Sequence, residues 1–225
     1  MKVALVGASG NVGSRLLAEL VRRGHEVTAI ARHPEKIEAR PSVTPAKGDL
    51  FDDATLAQVL AGHEAVISSV RFMMSDSHKL LNAVRASGVR RYLVVGGAGS
   101  LEVAPGVKLM DTPKFPAAAK PEATKGAEFL ELLRQERDLD WTFVSPSAVF
   151  GPGERTGSFR LGTDQLLVNE KGLFLDPHEG RRNVSSSLRD RHAPASARRA
   201  GYPGRRCGWR AAGSAWRSPP GSAPG

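Results

Sequence analysis

Gly7, Gly10 and Gly13 are the residues of this chain whose spacing points most directly to chemistry. They stand in Val3-Ala4-Leu5-Val6-Gly7-Ala8-Ser9-Gly10-Asn11-Val12-Gly13, an apolar strand-like run followed by a glycine turn. Apolar residues then recur at Val12, Leu16, Leu17, Leu20 and Val21 with helical spacing. The chemistry this suits is anion binding. Residues without a Cβ permit a tight turn and let backbone N–H groups approach a pyrophosphate, and the following helix N-terminus adds partial positive charge. Ser9, Asn11 and Val12 share the turn and are candidates to touch the same phosphates. The spacing is G-x-x-G-x-x-G rather than the commoner G-x-G-x-x-G, and a plain tight turn is the competing reading. A second strand pattern over Glu26–Ala31 completes a βαβ unit of about 30 residues, which favours the dinucleotide reading.

Ligands of open parallel sheets bind beyond the carboxyl ends of the strands, where strand order reverses. That rule selects Arg32 after the second strand pattern and Asp49-Leu50 after the third. It also selects Ser68, Ser69 and Val70 after the fourth, and Gly96, Gly97 and Ala98 after the fifth. An arginine at position 32 stands where an acid usually bonds the ribose hydroxyls of NAD. It suits a 2′-phosphate instead, so NADP(H) is favoured over NAD(H); a plain surface arginine is the alternative. The Asp49 carboxylate is a candidate acceptor for the adenine amino group, with Leu50 on the ring, unless Asp49 is only a turn residue.

Several catalytic classes lack their machinery. The two tyrosines, Tyr92 and Tyr202, have Gly96 and Arg206 four residues on, so neither forms Tyr-x-x-x-Lys. The six histidines show no paired metal-ligand spacing. Neither the G-x-S-x-G elbow of hydrolases nor the phosphate loop of ATP-driven enzymes occurs.

The net charge of +9 suggests nucleic-acid binding, but its distribution argues against it. Residues 181–225 hold ten arginines and one acid, Asp190, which accounts for the whole excess. The first 180 residues are therefore neutral overall. The tail, dominated by Arg, Ala, Ser, Gly and Pro, has too little apolar surface to offset the entropy of ordering and is expected to be disordered. A basic arm, a partnerless linker and a GC-rich gene read out of frame near Gly180 are three readings of it, the last preferred. No apolar run long enough for a membrane span occurs, no secretory signal is recognisable, and Cys207 has no internal partner, so a cytoplasmic location is expected.

Strand and helix patterns alternate over 1–180: strands over 2–6, 26–31, 42–47, 65–70, 91–95 and 141–145, with helices over 11–23, after Asp52 or Asp53, around Leu80–Val84, and over 121–137. Residues 101–119, with Pro105, Pro113 and Pro116, read as irregular. The fold class is α/β, a doubly wound parallel sheet of Rossmann type in a single domain.

Taken together, Gly7–Gly13, Ala29-Ile30-Ala31-Arg32, Gly48-Asp49-Leu50, Ala65–Val70 and Val94–Ser100 resemble the atypical short-chain dehydrogenases with NmrA-like NAD(P)-binding domains. The bacterial NADH-flavin reductase branch, similar to biliverdin/flavin reductase, is the nearest in pattern. Asp111-Thr112-Pro113, Lys120-Pro121-Glu122-Ala123 and Gly151–Gly157 resemble that branch as well. The resemblance implies that Gly7–Gly13 hold the pyrophosphate, and that Ser68–Val70 and Gly96–Ala98 line the ribose and nicotinamide. Lys120 becomes a catalytic candidate near the nicotinamide ribose, against a plain solvated lysine. An aromatic acceptor such as a flavin or quinone, lying between residues 110–120 and 147–160, needs no strong carbonyl acid. The implied activity is NAD(P)H-dependent hydride transfer to such an acceptor; the alternative is a non-catalytic NAD(P)-binding redox sensor. Two departures stand out. Ala119 replaces a tyrosine common in the branch, and the tail replaces a further helix and closing strand, which are expected to be missing.

Overall fold

The computed structural model describes residues 1–147, 160–167 and 183–188. Met1–Arg191 form one compact unit; a second, His192–Gly225, falls outside the described residues.

In chain order the elements are β1 (Lys2–Val6), α1 (Gly13–Arg22), β2 (Glu26–Ala31), β3 (Val43–Lys47), α2 (Asp53–Leu60), β4 (Ala65–Ser68), α3 (Ser77–Ala86) and β5 (Arg91–Val95). There follow β6 (Glu102–Ala104), β7 (Val107–Lys108), α4 (Lys120–Gln135), β8 (Asp140–Pro146), β9 (Arg160–Gly162) and β10 (Asn183–Leu188). The six strands of the alternating pattern lie parallel in the order β3-β2-β1-β4-β5-β8. β1 is central, with Val6 level with Ile30 on one side and Ser68 on the other. Strand order reverses between β1 and β4, so the carboxyl ends of these two strands open the crevice that a ligand of such a sheet enters.

Alternation along the strands divides the core in two. Leu5 of β1, with Val27, Ala29 and Ala31 of β2, packs with Leu17 of α1. Ala4, Val6 and Ile30 point the other way, into a larger cluster with Leu56 and Leu60 of α2, Leu80 and Val84 of α3, and Phe129 and Leu133 of α4. Aspartates start two of these helices: the Asp52 side chain accepts from the Thr55 N–H, and that of Asp76 from the N–H groups of His78 and Lys79. Each such cap is worth about 1 kcal/mol.

Two regions differ from the sequence reading. Residues 101–119 are not wholly irregular: β6 and β7 form a small antiparallel hairpin turning at Gly106, whose φ is +74°. The expectation of disordered chain from residue 181 onward is corrected at Asn183–Leu188. There β10 runs antiparallel to β8, Val184 opposite Pro146 and Leu188 opposite Thr142, and β9 lies parallel beyond it. A strand therefore borders β8 where closing elements were expected to be missing. Asn-Val-Ser-Ser-Ser-Leu contains no Arg, Gly or Pro. The tail's composition averaged over 45 residues hides these six, and the open edge of β8 supplies the backbone partners they need.

Candidate functional site

The glycine turn is fixed from both sides. Gly7 has φ +84°, and a Cβ there would lie 2.2 Å from the Ser69 carbonyl oxygen. A Cβ on Gly13 would lie 2.0 Å from the Gly7 carbonyl oxygen. Neither position admits a side chain. Gly10 has more room, 3.3 Å from the same oxygen. The N–H groups of Gly7 and Ala8 both donate to the Ile30 carbonyl at 2.9 and 3.2 Å, tying the turn to the end of β2. Gly10 N–H donates to Gly7 O at 3.1 Å, and Ser14 N–H to Gly10 O at 2.9 Å. α1 begins at once, with Val12 as a helical N-cap that offers no side-chain acceptor and with no acid in the first turn. The first N–H groups of a helix have no intrahelical acceptor, so this terminus, at the strand-order reversal, fits an anionic group. The cradle that a Cβ would fill and the uncapped helix end are what a dinucleotide pyrophosphate requires.

The ends of β2 and β3 supply the next candidates. Arg32 is exposed directly after β2 and makes no ion pair among the described residues. Gly48 N–H donates to Ala31 O at 3.2 Å, which brings the Asp49 turn beside it. One Asp49 oxygen accepts the Phe51 N–H at 2.9 Å, so Asp49 is a turn residue with its other oxygen left over. Leu50 is half-buried against the larger core cluster. Phe51 is 56% exposed on this turn, and its carbonyl accepts from the Lys79 ammonium at 2.7 Å.

On the other side of the reversal lies a pocket of about 700 Å³. The glycine turn contributes Gly10, Asn11 and Val12, the end of β4 contributes Ser69–Phe72, and the end of β5 contributes Val95–Ser100. Leu109, Thr112 and Lys114–Pro116 form another wall, and the pocket is closed by Ala119, just before α4, and by Glu122, Ala123, Gly126 and Ala127 of α4. Small residues bring backbone and rings together here. A Cβ on Gly96 would lie 2.0 Å from the Phe143 ring, and one on Gly99 2.7 Å from the Ala123 Cβ. A Cβ on Gly126 would lie 3.0 Å from the Phe72 ring. Phe72 stacks on Phe143 at 6.2 Å and meets Phe129 edge-on at 5.9 Å. Glu122 ties the wall together, Oε1 accepting the Phe72 N–H at 2.6 Å and Oε2 the Met73 N–H at 3.0 Å.

Of the expected site residues, Gly10, Asn11, Val12, Ser69, Val70, Gly96, Gly97 and Ala98 line this one pocket. Gly7 and Gly13 shape the turn beneath it. Ser9 is exposed on that turn, and Arg32, Asp49 and Leu50 sit at the neighbouring strand ends. Two expectations are corrected. Ser68 does not face the ligand: it is 1% exposed, and its hydroxyl shares a 2.9 Å hydrogen bond with the Tyr92 hydroxyl, because its place in β4 points it into the core. Lys120 is exposed at the first residue of α4 and is not among the residues that line the pocket. Burial pushes the Tyr92 phenol far above its ordinary pKa, with the Ser68 hydrogen bond pulling weakly the other way. It is no proton donor for the pocket. Of the expected acceptor walls, 110–120 contributes Thr112, Lys114–Pro116 and Ala119 to the pocket, and of 147–160 residues 148–159 lie outside the described residues.

Sequence reasoning missed Arg71, Phe72, Glu122, Ala123 and Gly126. The α4 set had a readable signal: positions 119, 122, 123, 126 and 127 recur at helical spacing, with four of the five being Ala or Gly. Phe72 had none, since its burial depends on Gly126 and Phe143, distant in sequence.

The family model described as NAD(P)H-binding matches residues 7–171. The chain belongs to this family. Among its relatives, the uncharacterized protein YwnB of Bacillus subtilis is 40% identical over 182 residues, covering 76% of this chain and 84% of YwnB. A Burkholderia pseudomallei protein proposed to be exported is 40% identical, with TM-score 0.68 over 84% of this chain and 100% of that one. A Streptococcus pneumoniae protein proposed to be an NADH-flavin reductase is 34% identical, with TM-score 0.66 over 84% of this chain and 100% of that one. In this family member, among the described residues, no helix is long and apolar enough to cross a membrane.

Proposed function

We propose that this NAD(P)H-binding protein is a reductase that uses NADPH to reduce a flavin, quinone or similar aromatic acceptor. The observation that carries the reading is the pocket: a largely apolar space of about 700 Å³ opening directly from the glycine turn, with no tyrosine on its described walls. When bound, NADPH supplies a hydride, which with a proton from water completes a two-electron reduction of the acceptor and leaves NADP⁺. The chain's own groups bind and orient. The α1 terminus and the Gly7–Gly13 backbone take the pyrophosphate, Arg32 takes the 2′-phosphate, and Ser69, Val70 and Gly96–Ala98 line the nicotinamide half. Phe72, Leu109 and Phe115 exclude water from the reacting faces and hold a flat ring in place, which lowers the barrier by orientation alone. A ring that accepts a hydride without carbonyl activation matches Ala119 and Ala123, which leave α4 with no proton donor pointing into the pocket.

The test is steady-state NADPH oxidation by the purified chain with riboflavin, FMN and quinones, beside direct measurement of NADPH and NADH binding. Turnover with NADPH preferred supports the reading. Tight NADP(H) binding with no turnover on any of these acceptors overturns it in favour of a redox sensor.

A further inference from the structure

The ionisable groups of the pocket point to the charge of the acceptor. We infer that this pocket selects an anionic acceptor, an aromatic ring system bearing a phosphate, carboxylate or sulfonate. The inference rests on the reductase reading of the same site and narrows its substrate class.

Three ionisable side chains line the described walls: Arg71, Lys114 and Glu122. The acid is spent. Both Glu122 oxygens accept backbone N–H groups, from Phe72 at 2.6 Å and Met73 at 3.0 Å. The two cations are not. Among the described residues neither the Arg71 guanidinium nor the Lys114 ammonium makes an ion pair or a side-chain hydrogen bond, and both residues are exposed at the pocket. Their neighbours Phe72 and Phe115 are apolar and also line the pocket, so an aromatic ring seated there brings an attached anion within reach of these cations.

The two cations stand on different walls. Arg71 follows β4, on the side that also carries Ser69 and Val70. Lys114 belongs to the segment between β7 and α4, which holds none of the strand ends assigned to the dinucleotide. The pyrophosphate has the α1 terminus and the 2′-phosphate has Arg32, so Lys114 is left for the second ligand. A neutral ring would leave that ammonium to solvent; a ring carrying an anion pairs with it.

FMN and riboflavin test this, because they share one reactive ring and differ by a phosphate. KM is read from NADPH oxidation, and Kd from quenching of flavin fluorescence on protein loaded with NADP⁺. FMN is expected to have KM and Kd about fivefold lower than riboflavin, the gap narrowing as salt screens the pair. Lys114→Ala should bring the ratio toward one, and Lys114→Glu should invert it. Equal constants for the two flavins, or a preference for FMN that survives both variants, overturns the inference. If neither flavin nor any quinone is reduced but FMN binds more tightly in a Lys114-dependent way, the reductase reading fails and anion selection stands. If both are reduced with equal constants, the reductase reading stands and anion selection fails. If neither flavin binds, anion selection fails, and the reductase reading is decided by turnover of the quinones.

Discussion

The Glu122 carboxylate holds the backbone N–H of Phe72 at 2.6 Å, joining α4 to the segment after β4 across 50 positions of sequence. Its second oxygen takes Met73 N–H at 3.0 Å. The side chain thus orients two walls of the pocket. Replacing it with alanine leaves both N–H groups without their acceptor, at a cost of about 1–3 kcal/mol. Glu122→Ala is expected to lower the melting temperature and to raise KM for the acceptor more than it lowers kcat. Calorimetry and steady-state kinetics on the same preparation check this; an unchanged melting temperature with unchanged KM contradicts it.

The glycine turn makes a graded prediction. Gly13→Ala puts a methyl group 2.0 Å from the Gly7 oxygen, whereas Gly10→Ala meets that oxygen only at 3.3 Å. Gly13→Ala should abolish measurable NADPH binding. Gly10→Ala should keep the fold intact and weaken binding only in so far as its methyl group crowds the ligand. Titration calorimetry with thermal melts separates the two effects.

Arg32→Ala should weaken NADPH by about tenfold, the usual scale of a hydrogen bond to a charged group, and NADH by less than about twofold. Competition binding of the two nucleotides reads the difference. Equal losses would remove the 2′-phosphate from Arg32.

Tyr92→Phe removes the partner of the Ser68 hydroxyl in the core. It should cost about 1–3 kcal/mol of stability while leaving kcat and KM alone, because neither residue lines the pocket. A large fall in kcat at full folding would mean that this tyrosine reaches the reacting groups.

Glu136 gives the stability a pH dependence. It is 2% exposed at the end of α4. Burial raises its pKa, but hydrogen bonds from the Asp138 N–H, the Arg85 guanidinium and the Arg137 N–H outweigh that and hold it below the usual glutamate range. The Arg85 Nε lies 2.6 Å from Oε2. A carboxyl lowered in the folded state stabilises fully above its unfolded pKa, about 4.3, and loses that contribution as pH falls through the folded value. The melting temperature should therefore drop as the solution is acidified through that window. In Glu136→Gln the drop should be shallower, from a lower starting point. Parallel curves for the two proteins would assign the acid sensitivity elsewhere.

The central half of the fold is legible in the sequence because it is local. β1, the glycine turn and α1 are contiguous, and a continuous apolar run gives way to helical spacing within a dozen residues, so type and order are readable directly. The pocket residues that follow β1, β4 and β5 are legible for the same reason, as residues following strands. What escapes depends on distant pairs. Ser68 follows the rule for a ligand contact, yet Tyr92 claims its hydroxyl. Glu122 carries no mark in sequence that Phe72 and Met73 will occupy both its oxygens. β10 escapes because composition was averaged across an arginine-rich tail, while strand formation depends on six residues and an available edge.

The wall that α4 and its N-cap give the pocket is made largely of very small side chains, at Ala119, Ala123, Gly126 and Ala127. Apart from alanine to glycine, every substitution there adds atoms, and each added atom comes out of the space of the pocket. Acceptor size is therefore under the control of a few codons on one helix face. Those codons are separate from the glycines of the turn after β1, so the size of the pocket can change while that turn is kept.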